Sequence, residues 1–157
     1  MIIAIDKEPS KLERAMQVGA THAIDARDPK CIQHVHDLTG GGVDFAFELG
    51  GAIDAMKIAY GCIQYGGTVV VAGLPPLAAT FDLNQCDLVG QEKAIKGSYM
   101  GSCAPIRDIP RFIRLYQEGR LPVDKLIDGH VGFDGLNEGF DKLQDVQVVR
   151  QILTPGA

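Results

Sequence analysis

The sequence predicts an α/β protein: a doubly wound parallel sheet followed by a C-terminal α+β tail. Three observations carry this expectation. Short apolar runs alternate with helical patterns through roughly the first hundred residues, the βαβ succession that gives a parallel sheet with right-handed crossovers. One run, Gly67 to Gly73, is apolar almost throughout, as a strand covered on both faces must be. The runs also end in acids or glycines, the residues found where such sheets meet their ligands.

Met1-Ile2-Ile3-Ala4-Ile5-Asp6 reads as a strand ending in an acid. Ser10-Lys11-Leu12-Glu13 has capping-box spacing, Leu12, Ala15 and Met16 give a helical stripe, and Gly19 supplies a stop. Ala20 to Asp25 is a short strand. Asp28-Pro29 reads as cap and first-turn proline of the next helix, with Ile32, Val35 and Leu38 on its apolar face and Gly40-Gly41-Gly42 at its end. Val43 to Leu49 is β-rich, Gly50-Gly51 breaks it, and Ile53, Met56, Lys57 and Tyr60 continue helically. After the Gly67 to Gly73 strand, Pro75-Pro76 is a stop, residues 77 to 92 read as irregular, and Ala94 to Met100 is one more strand. Beyond Gly101 the rhythm changes: Asp108 to Gln117 is helical with Pro110 in its first turn, Ile127 to Phe133 a strand, Leu136 to Leu143 a short helix, and Val146 to Leu153 a last strand. The division expected is 1–101 and 102–157, the second part packing on something else.

The chain has 157 residues, enough for one domain with a real core, and a 46 % apolar fraction typical of a globular protein. Its net charge of −5, without a basic tract, points away from nucleic acid and anionic membranes. No apolar run nears the roughly 20 residues that span a bilayer, and no secretory signal is visible, so a cytoplasmic location is expected. Cys31, Cys62, Cys86 and Cys103 lie at least 17 positions apart, so no zinc-type cysteine pair is present; reduced, structural thiols are expected. His34 and His36 face different sides of one helix. His22 and His130 stand alone, and Asp128-Gly129-His130 has no nucleophile in reach.

Taken together, Val18-Gly19-Ala20-Thr21, Gly41-Gly42-Val43-Asp44-Phe45-Ala46-Phe47-Glu48, Gly73-Leu74-Pro75-Pro76, Lys96-Gly97-Ser98-Tyr99-Met100-Gly101, Asn137-Glu138-Gly139-Phe140 and Val149-Arg150-Gln151-Ile152-Leu153 resemble the C-terminal half of the zinc-type medium-chain alcohol dehydrogenases in order and spacing. The resemblance covers essentially the whole chain. It implies a Rossmann-like sheet lacking its first strand and Gly-rich loop, which leaves the Asp6 strand and the Val43 strand with unpaired edges.

The resemblance also implies roles. Asp6 matches the acid that binds the adenosine ribose diol, favouring NAD over NADP because an anion repels a 2′-phosphate. Lys11 matches a basic residue near that ribose, and Leu49 and Gly50 the stretch lining it. Ala72, Gly73 and Leu74 match the turn beside the nicotinamide. Ser98 and Met100 match backbone groups that hold the carboxamide. Arg150 matches an arginine on a cofactor phosphate. Each position also has a plainer reading: Asp6 as a loop acid, Lys11 as a solvated helix face, Leu49, Ala72 and Leu74 as ordinary core, and Arg150 as a surface arginine.

In the resembled family the catalytic zinc ligands lie in the N-terminal domain, and neither they nor the structural-zinc cysteines occur here, so no catalytic and no metal residue is expected and the chain alone is expected to be inactive. The activity implied is reversible hydride transfer between a small alcohol and its aldehyde or ketone, with NAD as cofactor. Two other readings stay open: a non-catalytic binding fragment that forms a homodimer through strand 94–100, and a zinc-free quinone or enoyl reductase of the same superfamily.

Overall fold

The computed structural model describes residues 1–143 and 148–155. Its seven described strands form three separate parallel ladders, β1-β2, β3-β4-β5 and β6-β7. The chain divides into two compact units, Met1–Asp25 with Ala104–Ala157, and Ala26–Cys103.

The first unit begins with β1 (Ile3–Asp6), α1 (Pro9–Gln17) and β2 (His22–Asp25). The capping box expected at Ser10 does not form. Pro9 takes the first helical turn, Glu8 becomes the N-cap without a side-chain bond, and Ser10 falls inside the helix. Proline explains the shift, because its fixed φ and missing N–H suit the first turn. β1 and β2 pair in parallel with Asp6 opposite Asp25, so both strands end in acids at one edge. The later part of the unit holds α5 (Pro105–Gln117), β6 (Gly129–Val131), α6 (Leu136–Lys142) and β7 (Gln151–Leu153). Helix α5 starts three residues earlier than the sequence suggests, with Pro105 in its first turn and Pro110 inside it. Asp108 Oδ2 accepts the Ala104 N–H at 2.8 Å, which serves the new start as a cap. Ile109, Phe112, Ile113 and Tyr116, at helical spacing along α5, stay 45–50 % exposed. β7 covers only the end of the last expected strand; Val146 and Gln147 lie outside the described residues.

The second unit holds α2 (Cys31–Thr39), β3 (Val43–Glu48), α3 (Ile53–Cys62), β4 (Ile63–Val71), α4 (Gln85–Gly90) and β5 (Ala94–Gly97). Lys30 takes the N-cap position of α2 without a side-chain bond, so Asp28-Pro29 falls before the helix, where Asp28 Oδ1 accepts the Lys30 N–H at 2.8 Å. Gly40 ends the helix in the left-handed region, φ 75°. The core gathers Met56, Ile63 and Val69, with Val43, Ala46, Tyr60, Val71 and Phe81 against them. Cys31, Val35 and Cys62 are buried as well, whereas in the first unit Ile24 is the sole buried hydrophobic among the described residues. β4 starts earlier than the apolar run suggests, where Val43 pairs with Ile63 ahead of a register shift between Val43 and Phe45, and it stops at Val71. The stretch expected to be irregular, 77 to 92, contains α4. Asn84 caps it through Oδ1, which accepts the Cys86 and Asp87 N–H groups. Lys93 fastens the region: its Nζ sits 3.3 Å from Asp87 Oδ2 and 4.7 Å from the Tyr60 ring centroid.

Candidate functional site

The register of the β3-β4-β5 ladder sets the geometry of a candidate site within the second unit. Glu48 pairs with Val71, and Val71 with Gly97, so three strand ends stand in one row. The next residues, Leu49, Ala72 and Ser98, therefore leave the sheet side by side at the edge where ligands of parallel sheets bind. Two backbone bonds carry the row past the strands: Ala72 N–H to Glu48 O at 2.9 Å and Ser98 N–H to Val71 O at 2.8 Å. Seven expected residues come together here: Leu49 and Gly50 after β3, Ala72, Gly73 and Leu74 after β4, and Ser98 and Met100 after β5. Met100 does not continue a strand as the sequence suggests. It sits at a kink between Tyr99 and Ser102 with a left-handed backbone, φ 49° and ψ 36°. Leu49 is 73 % and Leu74 76 % exposed, so core packing within the chain does not account for either.

The tightest element of this edge is one the sequence alone does not single out. Glu48 is the sole buried charged side chain among the described residues, at 4 % exposure. Its Oε1 accepts the Gly50 and Gly51 N–H groups, each at 2.7 Å. Its backbone oxygen accepts the N–H groups of Ala72 and Gly73. One residue thus ties the loop after β3 to the loop after β4. A carboxylate with charge-assisted donors is the side chain that can do this while buried. The close approach also demands glycine: a Cβ on Gly73 would lie 2.1 Å from Gly51 N and 2.6 Å from Glu48 Oε2. The signal is legible in outline, since Glu48 ends an apolar strand immediately before Leu-Gly-Gly, as Asp6 ends the first. Beneath the loops, Glu48, Gly51, Met56, Val71, Pro75 and Phe81 line a cavity of about 190 Å³. It falls below the usual ligand-pocket range of roughly 300–1,000 Å³ and is open to solvent.

The other unit holds Asp6, Lys11 and Arg150. Asp6 closes β1, half-buried, and its Oδ1 accepts the Glu8 N–H at 2.9 Å. Its second oxygen takes no hydrogen bond among the described residues. Lys11 lies in the first half of α1, half-buried, and Arg150 is exposed just before β7. Near Arg150 is a carboxylate, Asp128, held below its ordinary value of 3.8. The Arg150 and Val149 backbone N–H groups contribute most to that shift, and Arg14 adds to it.

Among the described residues no group of three or more His, Cys, Asp or Glu could hold a metal ion. His36 Nε2 lies 2.8 Å from Gly61 O, and His34 Nδ1 3.5 Å from Asp28 Oδ2, so the two histidines serve separate contacts. The residues described do not fit a zinc ion. Burial pushes the Cys62 thiol up to about 12, with Cys31 nearby adding to the shift, which removes it as a nucleophile at neutral pH. No described helix is long and apolar enough to cross a membrane.

A row of parallel strand ends opening into glycine-bearing loops is the edge at which open α/β sheets bind their ligands, and it defines the class. Comparison with known proteins gives the family. The model of the zinc-binding dehydrogenases matches residues 1–118, and the chain belongs to that family. It is 34 % identical over 155 residues to alcohol dehydrogenase 1 of Cenchrus americanus, covering 97 % of this chain and 41 % of that protein. The crystal structure of benzyl alcohol dehydrogenase from Acinetobacter calcoaceticus superposes with a TM-score of 0.94 at 33 % identity, over 99 % of this chain and 43 % of that one. An alcohol dehydrogenase zinc-binding domain protein from Burkholderia ambifaria superposes at 0.93 with 29 % identity, over 98 % and 41 %. The chain thus spans about two fifths of the length of the relatives it matches, and corresponds to their C-terminal part with its Rossmann-like NAD-binding fold.

Proposed function

We propose that this chain is the NAD-positioning portion of a zinc-type alcohol dehydrogenase, in which a small alcohol and its aldehyde or ketone exchange a hydride with the nicotinamide. The observation that carries the reading is the Glu48–Val71–Gly97 row, which sets Leu49-Gly50, Ala72-Gly73-Leu74 and Ser98-Met100 at one sheet edge. NAD, when bound, supplies the hydride chemistry; the residues of this chain bind and orient it. Asp6 receives the ribose diol on the carboxylate oxygen left open beside the Glu8 N–H, and its charge turns away a 2′-phosphate. Lys11 lies near that ribose, and Leu49 and Gly50 line it. Ala72, Gly73 and Leu74 flank the nicotinamide, backbone groups of Ser98 and Met100 hold the carboxamide, and Arg150 meets a phosphate with two parallel donors. Cytoplasmic residence goes with this reading, as does absence of turnover by the chain alone, because hydride transfer in the zinc-type enzymes calls on metal ligands that the described residues do not assemble.

Calorimetry on the 157-residue chain tests the proposal. NAD should bind in the micromolar range and NADP at least tenfold more weakly, and Asp6→Ser should narrow that gap. Equal affinity for both cofactors in the parent chain would overturn the role of Asp6, and no binding of either would overturn the cofactor reading.

A second reading concerns assembly. β5 is the outer strand of its ladder and all four of its residues are exposed. We propose that it pairs antiparallel with its twin to make a homodimer. Light scattering after gel filtration tests this: Ile95→Pro, which removes a ladder N–H, should convert a dimer to a monomer. A monomeric parent chain would sink the idea. A zinc-free reductase is the alternative activity; the matched relatives are named as alcohol dehydrogenases, which favours the first.

A further inference from the structure

We propose that Asp128 is a positioning residue for Arg150: its carboxylate clamps the backbone at 149–150 to helix α1 and so fixes where the guanidinium meets the cofactor's phosphate. The inference rests on the reading of Arg150 as the phosphate arm.

Asp128 lies immediately before β6, and one side chain gathers three segments. Its Oδ2 accepts the N–H groups of Val149 and Arg150, the latter at 3.0 Å. Its Oδ1 accepts Arg14 Nη1 at 2.5 Å, the two side chains being 17 % and 29 % exposed. Its own N–H donates to Arg150 O at 2.7 Å. Arg150 is therefore held at both its N–H and its C=O by a single residue. The ladder continues the grip one residue on, where Gly129 pairs with Gln151. The far end of the clamp is α1, the helix that comes after Asp6 and carries Lys11 three residues before Arg14, on the same face. Lys125 Nζ adds a bond to Gln17 O at the end of that helix, 3.3 Å.

What the clamp leaves loose points to a ligand. The Arg150 side chain is exposed and makes no ion pair among the described residues, while its backbone is bonded on both sides. Anchoring the backbone of a long cationic side chain lowers the number of positions its head must give up when an anion arrives. An acid whose oxygens are all taken by N–H donors does not itself receive the ligand, so Asp128 acts through Arg150.

The test compares ADP-ribose, which carries the pyrophosphate, with adenosine, which does not, by calorimetry on the full 157-residue chain. Asp128→Ala should weaken ADP-ribose about tenfold and leave adenosine unchanged. In an Arg150→Ala background the same substitution should add nothing, because the group it positions is gone. Asp128→Asn keeps an oxygen for the two backbone donors but turns an amide toward Arg14, so it should fall between parent and Ala; it also carries the test if the Ala variant does not fold. If Arg150→Ala leaves ADP-ribose affinity unchanged, the phosphate-arm reading fails and takes this inference with it. If Arg150→Ala weakens ADP-ribose while folded Asp128 variants do not, or if they weaken adenosine equally, the positioning role alone is overturned.

Discussion

Truncating Glu48 to alanine puts the β3–β4 junction to a quantitative test. The carboxylate accepts the Gly50 and Gly51 N–H groups at 2.7 Å, and alanine leaves both donors without a partner. An unsatisfied buried donor costs about 1–3 kcal/mol, so two cost about 2–6 kcal/mol. Gly50 is an exposed residue, which favours the lower half, about 2–4 kcal/mol. Against a total stability of about 5–15 kcal/mol this is large. Urea unfolding at neutral pH is the assay. With an m-value of about 2 kcal/mol per molar, the midpoint should fall by about 1–2 M without a change in slope. Glu48→Gln is the control: its oxygen can keep both donors but loses the charge that roughly doubles their strength, so it should lose less than alanine. An alanine midpoint within about 0.2 M of the parent would refute the argument, since it would mean that water or a small backbone shift satisfies both glycines without the carboxylate.

The same structure sets three further outcomes. Gly73→Ala forces a Cβ to 2.1 Å from Gly51 N; backbone must move, and the loss should reach about 3 kcal/mol, the upper end of overpacking, in the same urea assay. Asp128 has a folded pKa below its ordinary 3.8, so the stability it contributes is present above that value and fades as pH falls through the folded one; acid titration followed by circular dichroism should show Asp128→Asn flattening the slope below about pH 4. With the Cys62 thiol pushed up to about 12 and Cys86 exposed, a thiol reagent at about pH 8 should label Cys86 rapidly in the native chain and Cys62 only after denaturation; fast labelling of Cys62 would show that α3 opens readily.

What the sequence revealed and what it hid divide along physical lines. Strands and helices of the first hundred residues were legible because periodicity and glycine stops are local. The helix starts were not, because proline competes for the first turn: Pro9 displaced the Ser10 box and Pro105 moved α5 ahead of Pro110. Helix α4 is not legible in the sequence because it rests on the Asn84 cap and on Lys93 bound to Asp87 and Tyr60, contacts that no stripe announces. The sequence offers Asp128 only as the start of an Asp-Gly-His run, since a carboxylate that binds backbone 21 and 22 residues away leaves no trace in its neighbours.

Asp6 and Glu48 show why one pattern has two meanings. Each closes an apolar strand, at the edge where parallel sheets bind ligands. Both accept a backbone N–H two residues ahead, Glu8 for Asp6 and Gly50 for Glu48. The difference lies in side-chain length and in the residues next in the chain. The longer Glu48 reaches back under a loop of two glycines, takes a second donor from Gly51, and is buried at 4 % exposure; nothing remains for a diol. The shorter Asp6 precedes Lys7 and Glu8, which cannot fold over it as glycines do, and it keeps one carboxylate oxygen open at a half-buried position. An acid at a strand end therefore separates by its neighbours. Before glycines it becomes an internal tie that fixes the loop. Before long side chains it stays available, which is the condition a ribose-binding acid has to meet.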